Sequence, residues 1–301
     1  MNYKDFKEFC DFKKIEYKID EPMSEHTSFK IGGKADLFVP VKNDFQLSQV
    51  FKKINELEIP FFVIGNGSNL LVSDKGIRGV VISLSSLCGI EADGERIIAS
   101  AGTPLMKICK FALKNCLEGL EFAYGIPGAC GGALYMNAGA YGGEMSQVVE
   151  SAEYIDSDGN LKTISLEEMN LGYRKSIFKN GGMIITKVIF KLKKGDKEEI
   201  KAKMDDFLNR RKEKQPLNFP SAGSFFKRPE GHFAGALIEK NNLKGFSVGG
   251  AEVSEKHAGF IINTGNATCN DVINLMKHIK KTVLEKEQIL LEEEVIFVGE
   301  K

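Results

Sequence analysis

Apolar residues recur at three- and four-residue intervals in several stretches of the chain, separated by short runs that are apolar throughout or at every second position. These are the marks of amphipathic helices and of strands. After a polar N-terminal helix, Asn43 and Asp44 are placed to cap a helix with Leu47, Val50, Phe51, Ile54 and Leu57 on one face, which Pro60 ends. Phe61–Ile64 reads as a buried strand entering the turn Gly65-Asn66-Gly67-Ser68-Asn69, and Leu70-Leu71-Val72 leaves it as a second strand. Thr103 and Pro104 predict an N-cap and a first-turn proline for a helix carrying Leu105, Ile108, Cys109, Ala112 and Leu113. Asp158-Gly159 lies between Ala152–Ile155 and Leu161–Ile164 as a hairpin turn, and Val188, Phe190 and Leu192 alternate with Lys187, Ile189 and Lys191. Beyond Lys193–Asp196 the spacing of Ile200, Met204, Phe207 and Leu208 predicts another helix. The last long helix is expected to start at Asn270 as N-cap and to present Val272, Met276, Ile279 and Val283, before a final strand Val295–Val298.

The pattern is that of an α+β chain. With 301 residues, 43% of them apolar, it exceeds the usual size of one domain. Changes of period place boundaries near residues 80 and 195, giving segments 1–80, 81–195 and 196–301. Lys plus Arg and Asp plus Glu both number 41, so no net field draws in nucleic acid or a membrane surface, and an anionic ligand must be held by local groups. The N-terminal residues carry alternating charge, and no window approaches the roughly 20 apolar residues of a membrane span. A cytoplasmic protein is expected. Cys10, Cys88, Cys109, Cys116, Cys130 and Cys269 form no C-x-x-C pair, and His26, His232, His257 and His278 are far apart. Idle thiols and no metal site are expected.

Three glycine-bearing segments carry the candidate chemistry. In Gly65-Asn66-Gly67-Ser68-Asn69-Leu70 the backbone N–H groups can curl into a donor nest for a diphosphate, with side-chain donors from Ser68 and Asn69. It is no dinucleotide fingerprint, since Leu70 stands where a third glycine belongs and no helix pattern follows, and it lacks the Gly-Lys-Ser/Thr of a Walker A loop. By itself it also reads as an ordinary turn. The stretch Tyr124–Gly143 holds seven glycines in twenty residues. So little side-chain bulk lets a large flat ligand lie against backbone, although close packing of a turn on a sheet is the alternative. The third, His26–Ala35, combines hydroxyl, basic and glycine positions and also reads as an edge strand with a turn.

In this order the three segments resemble the UDP-N-acetylenolpyruvoylglucosamine reductase family, whose members have the FAD-binding fold of the vanillyl-alcohol oxidase superfamily. The family patterns H-T-x-F-x-I-G-G, G-x-G-S-N-L-L and G-I-P-G-x-x-G-G-A-x-x-M-N-A-G-A-Y-G match from His26, Gly65 and Gly125, and the likeness covers nearly the whole chain. The resemblance implies two FAD-binding subdomains, 1–80 and 81–195, and a substrate-binding C-terminal domain, 196–301. It implies non-covalent FAD on Gly65, Asn66, Gly67, Ser68, Asn69, Leu70, Gly125, Ile126, Pro127, Gly128, Gly131, Gly132, Asn137, Ala138, Gly139, Ala140 and Tyr141. NADPH is the implied reductant, and the implied reaction is reduction of UDP-N-acetylglucosamine enolpyruvate to UDP-N-acetylmuramate in peptidoglycan precursor synthesis, with hydride from flavin N5.

Three positions match the family's reactive residues. Arg174 can clamp a carboxylate with its fixed fork and stabilise charge building on it. Ser224, between small residues, matches the serine that protonates the substrate carbon. Ser224 and Lys227 also spell S-x-x-K, but the S-D-N and K-T-G motifs of an acylating enzyme are absent. Glu294 matches the last acid of L-E-P-E-V, here Leu291-Glu292-Glu293-Glu294-Val295. Either Glu292 or Glu294 can face the site, and adjacency to Val295 favours Glu294. Tyr173, Arg210, Gln215, Lys227, Lys240 and Asn263 are the implied substrate contacts, with Arg211 and Ser254 beside them. Arg228 departs from the Asn common in the family, and the absence of an extra C-terminal insertion matches the shorter family type with a comparatively open substrate site. A monomer is expected. Another flavoprotein of the superfamily, such as a sugar or alcohol oxidase, and a silent nucleotide-binding module remain the rival readings.

Overall fold

The computed structural model describes residues 3–300. Seven α-helices are found among them: α1 (Lys4–Lys13), α2 (Asp44–Glu56), α3 (Leu105–Lys114), α4 (Cys130–Tyr135), α5 (Lys197–Lys214), α6 (Ala234–Lys240) and α7 (Cys269–Glu287). The chain divides into two compact units, and neither is one continuous stretch. The first comprises Met1–Ile19, Leu37–Asn66 and Gly79–Arg210, the second Asp20–Asp36, Gly67–Arg78 and Arg211–Lys301.

A five-stranded antiparallel sheet forms much of the first unit, in the order Leu161–Ser165, Val149–Ile155, Ile184–Lys191, Arg96–Ser100 and Ile90–Asp93. The expected hairpin pairs Ile155 with Leu161 across Asp158-Gly159. Val188 and Phe190 point into the core, as their alternation predicts. Phe61–Ile64 pairs in parallel with Val80–Ser83, and α2 buries Leu47, Val50, Phe51 and Ile54. Asn43 Oδ1 caps that helix by accepting from Gln46 N at 2.8 Å. The strand Phe61–Ile64 is not fully buried, however: Phe61 is 38% exposed and meets Phe51 edge-on, with ring centroids 5.1 Å apart. An apolar run four residues long does not distinguish a covered strand from one with an open face.

The second unit contains a four-stranded antiparallel sheet in the order Ser221–Ser224, Phe260–Asn263, Ala251–Val253 and Ser247–Val248. Leu70–Val72 pairs in parallel with Ile296–Val298, so the strand leaving the first glycine loop meets the last strand of the chain. Helix α7 seals the core with Val272, Leu275, Ile279 and Val283.

Two helix starts differ from expectation. Thr268, not Asn270, caps α7: its hydroxyl accepts from Asp271 N while Asp271 Oδ2 accepts from Thr268 N, a reciprocal box. Asn270 N instead donates to Asp74 Oδ2 at 3.0 Å. At α3 the first helical residue is Leu105 with Pro104 at the cap, because Thr103 Oγ1 is engaged by Gly89, donating to its carbonyl and accepting from its N–H. No helix among the described residues is long and apolar enough to cross a membrane. Cys10, Cys109, Cys130 and Cys269 are buried, and burial pushes the Cys109 and Cys130 thiols well above their ordinary value, whereas Cys88 is exposed.

Candidate functional site

In the first unit the ends of two glycine segments meet. Asn66 Nδ2 donates to the Pro127 carbonyl at 3.1 Å, and a Cβ on Gly65 would lie 3.5 Å from Ala129 Cβ. Gly125, Ile126, Pro127 and Gly128 form the loop before α4, anchored by Leu105 N donating to the Gly128 carbonyl. The helix α4 inside this segment had no apolar stripe long enough to announce it. Its two glycines face opposite demands. Gly131 packs so closely that a Cβ would sit 2.8 Å from Ala101 Cβ, whereas at Gly132, which is exposed, a Cβ would have nothing within 4 Å.

Asn137 is 1% exposed, in left-handed backbone (φ 42°), and ties two loops together. Its Oδ1 accepts from Ser146 N at 2.9 Å and its Nδ2 donates to the Gly172 carbonyl at 3.1 Å. The side chain so engaged lies inside the protein, which leaves backbone, not amide, for the cofactor contact expected here. Ala138 follows, and Gly139-Ala140 pairs with Gly143-Glu144 in a short hairpin. A Cβ on Gly143 would come within 2.6 Å of the Phe122 ring, and Gly142 at the tip faces open space. Tyr141, 38% exposed, stacks flat on Phe207 of α5 at 4.8 Å.

Tyr173 and Arg174 form the tip of a tight turn closed by reciprocal backbone hydrogen bonds between Gly172 and Lys175. Both flanks are fastened to the glycine segment: Asn137 holds the Gly172 carbonyl, and Ser176 Oγ donates to the Tyr135 carbonyl at 2.6 Å. Arg174 has φ 52° and its carbonyl accepts from Lys179 Nζ at 2.8 Å. Its guanidinium carbon lies 5.3 Å from the Tyr173 ring centroid. Arg210, on the exposed side of α5, pairs with Asp206 at 2.8 Å.

In the second unit Gly67 has φ 59°, and a Cβ there would strike the His26 carbonyl at 2.2 Å. Among the described residues, the N–H groups of Gly67, Ser68 and Asn69 donate to no backbone carbonyl. Leu70 is buried, 8% exposed, and so belongs to the core. Asn69 Nδ2 donates to the Glu294 carbonyl at 3.1 Å, a use of that amide that spacing alone does not reveal.

Ser224 is exposed at the end of the strand Ser221–Ser224, opposite Phe260 and after Gly223 in left-handed backbone (φ 78°). The strand is held from the third glycine-bearing segment, since Ser28 Oγ donates to the Ser221 carbonyl at 2.7 Å. Ser28 went unnoticed in the sequence because it occupies the variable position of H-T-x-F. Beyond Ser224, Phe225–Lys227 runs antiparallel to Glu292–Glu294: Glu294 N donates to the Phe225 carbonyl at 2.9 Å and Lys227 N to the Glu292 carbonyl at 2.8 Å. The first two of the three consecutive carboxylates pair locally. Glu292 meets Lys227 at 2.9 Å and Glu293 meets Lys280 at 2.6 Å. Burial is the largest single influence on Glu293 and opposes its ionisation, but the Lys280 hydrogen bond, a backbone hydrogen bond and the charges of Lys280 and Lys227 together outweigh it and hold the carboxyl below its usual range.

The expected substrate contacts are dispersed. Gln215 lines an open cavity of about 450 Å³ with Lys212, Leu217, Asn218 and Lys256, its Oε1 accepting from Arg211 Nη1 at 3.2 Å. Lys240 pairs with Glu287 at 2.7 Å. Asn263 is 7% exposed, with Nδ2 donating to the Phe29 carbonyl and Oδ1 accepting from Gly265 N and Ala267 N. Its amide is taken up by the fold, as is the Ser254 hydroxyl, which accepts from Lys256 N. Arg228 lies over the Phe233 ring at 4.0 Å.

Within the first unit the open space at Gly132 and Gly142 suits a flat ligand. Within the second, the N–H groups of Gly67–Asn69 suit an anion. Each taken by itself has the chemistry that one part of FAD requires. Residues 35–165 match the family model described as "FAD binding domain", and the molecule is an α+β flavoprotein, an oxidoreductase. Residues 215–298 match the model for the UDP-N-acetylenolpyruvoylglucosamine reductase C-terminal domain. The chain belongs to the UDP-N-acetylenolpyruvoylglucosamine reductase family: it is 53% identical over 283 residues to the enzyme of that name from Clostridium botulinum, covering 94% of this chain and 92% of that one. It is 54% identical over 284 residues to the enzyme from Caldanaerobacter subterraneus subsp. tengcongensis, covering 94% of each. The crystal structure of the reductase from Thermus caldophilus superposes with a TM-score of 0.81 at 35% identity, covering 95% of this chain and 99% of that one.

Proposed function

We propose that the chain reduces the enolpyruvyl ether of UDP-N-acetylglucosamine to UDP-N-acetylmuramate with NADPH as reductant, in a ping-pong sequence. FAD, which the segments Gly65–Leu70 and Gly125–Tyr141 would hold, would supply the hydride transfer from NADPH through N5 to the terminal vinyl carbon. The chain's own residues then handle charge and one proton. Arg174, at the tip of a turn fastened to Tyr135 and Asn137, clamps the substrate carboxylate and stabilises the enolate-like charge that builds there. Glu294, donating a hydrogen bond from its acid form, shares in stabilising that charge. Ser224 donates its hydroxyl proton to the neighbouring carbon, completing addition of H⁻ and H⁺ across the double bond, and solvent can restore the proton because Ser224 is an exposed residue.

The observation that carries this reading is the ladder between Phe225–Lys227 and Glu292–Glu294, whose bond from Glu294 N to the Phe225 carbonyl sets Glu294 next to the residue following Ser224. Pairing with the residue next to Ser224 favours Glu294 over Glu292, which lies opposite Lys227, two residues further along the ladder. Gln215, with the amide of Asn218 and the cations of Lys212 and Lys256, offers the chemistry that a uridine diphosphate needs. Segments 1–80 and 81–195 serve FAD and segment 196–301 the UDP-sugar, and the enzyme acts as a cytoplasmic monomer. Ser224→Ala tests the chemistry: flavin reduction by NADPH should persist while reoxidation by the enolpyruvyl substrate falls at least about 100-fold, the scale of a lost general acid. If both half-reactions run at the parent rates, the assignment is wrong.

A further inference from the structure

Glu294 is held by its backbone from both sides. Its N–H donates to the Phe225 carbonyl at 2.9 Å, and its own carbonyl accepts from Asn69 Nδ2 at 3.1 Å. Asn69 also grips the next stretch of chain, its carbonyl accepting from Ile296 N at 3.0 Å, where the Leu70–Val72 and Ile296–Val298 strands begin to pair. The two bonds from Asn69 therefore bracket Val295. One residue of the first glycine loop sets the position of the chain that carries the candidate acid, and the opposite anchor lies beside Ser224.

We infer that Asn69 is a positioning residue for the substrate half-reaction, fixing Glu294 through that carbonyl; this rests on the reading of Glu294 given above. A carboxylate on a strand end follows any rotation of its peptide plane. With the Asn69 bond absent, the Glu294 carbonyl faces a neighbour that no longer donates, and the peptide plane between Glu294 and Val295 loses that restraint. Misplacement on the order of 1 Å in a catalytic group is enough to slow a step many-fold. Reduction of the flavin by NADPH calls on no charge stabilisation by Glu294, so the two half-reactions should part company. Sequence patterning assigns Asn69 to the diphosphate; the structure gives its side-chain amide a second task that faces the chemistry.

The experiment is a double-mutant cycle on the FAD-loaded enzyme, reading anaerobic flavin reduction by NADPH and reoxidation by UDP-N-acetylglucosamine enolpyruvate by stopped flow. At saturating FAD, Asn69→Ala and the isosteric Asn69→Asp, which puts an acceptor where the donor was, should each slow reoxidation at least about tenfold more than they slow flavin reduction. On a Glu294→Gln background, Asn69→Ala should slow reoxidation by less than about twofold further, because coupled residues are not additive. Equal slowing on both backgrounds, no slowing at all, or parallel loss of both half-reactions with release of FAD would overturn the inference and leave the Glu294 assignment standing. If Glu294→Gln itself reoxidises at the parent rate, the acid assignment falls and takes this inference with it.

Discussion

At Gly132 a side chain would enter open space, and at Gly131, its neighbour on α4, it would meet Ala101 Cβ at 2.8 Å. Composition treats the two alike; only tertiary contact separates a glycine required for packing from one that leaves room for something else. Alanine favours a helix over glycine by up to about 1 kcal/mol. Gly132→Ala should therefore keep or raise the thermal midpoint of the FAD-free protein while weakening FAD, measured by flavin fluorescence titration, at least about tenfold. Gly131→Ala should instead destabilise the protein by about 1–3 kcal/mol, the cost of overpacking. Unchanged FAD affinity in Gly132→Ala would remove that glycine from the cofactor cradle. Asn137 and Asn263 carry a similar lesson: residues selected by motif as ligand contacts prove buried, with amides bonded to backbone. A motif records that a residue type is needed at a place, and its purpose becomes visible only with its partners.

Among the elements, α2 and the Asp158-Gly159 hairpin were legible because both their periodicity and their turn residues are local. The start of α7 was read two residues late, since Thr268 and Asp271 form the box and Asp74, remote in sequence, takes the Cys269 and Asn270 N–H groups. The loop between the strands Ala251–Val253 and Phe260–Asn263 should carry a pH response. His257 is held below its ordinary pKa, chiefly because burial penalises the charged ring, and its Nδ1 accepts from Gly259 N at 3.0 Å. With the folded value below the unfolded one, the unfolded chain takes up the proton first as pH falls. The stabilising contribution of neutral His257 is then complete above about pH 6.5 and is lost as pH drops through the lowered folded value. The thermal midpoint of the parent should thus fall between pH 7 and 5 by more than that of His257→Asn, followed by circular dichroism. Equal slopes for the two proteins would contradict the shift.

For the molecule as a whole, the α+β class and the flavin signature were readable from strand and helix periods and from the three glycine-bearing segments. The composition of the two units was not. Asp20–Asp36, Gly67–Arg78 and Arg211–Lys301 form one compact unit through contacts such as Ser28 to Ser221 and Asn69 to Glu294, which span 193 and 225 residues of sequence. No local pattern encodes pairings so distant. They bring the third glycine-bearing segment and the first loop to the strand that ends at Ser224 and to the chain at Glu294. Formal neutrality fits the same account, since the ligand's charge is met by local groups and not by a general field.

The most direct test of the account is a stopped-flow record of the parent enzyme under anaerobic conditions. NADPH should bleach the flavin absorbance, and UDP-N-acetylglucosamine enolpyruvate added afterwards should restore it in full, with UDP-N-acetylmuramate formed in equal amount to the flavin reoxidised. A flavin that is reduced by NADPH and stays reduced in the presence of that substrate would contradict it.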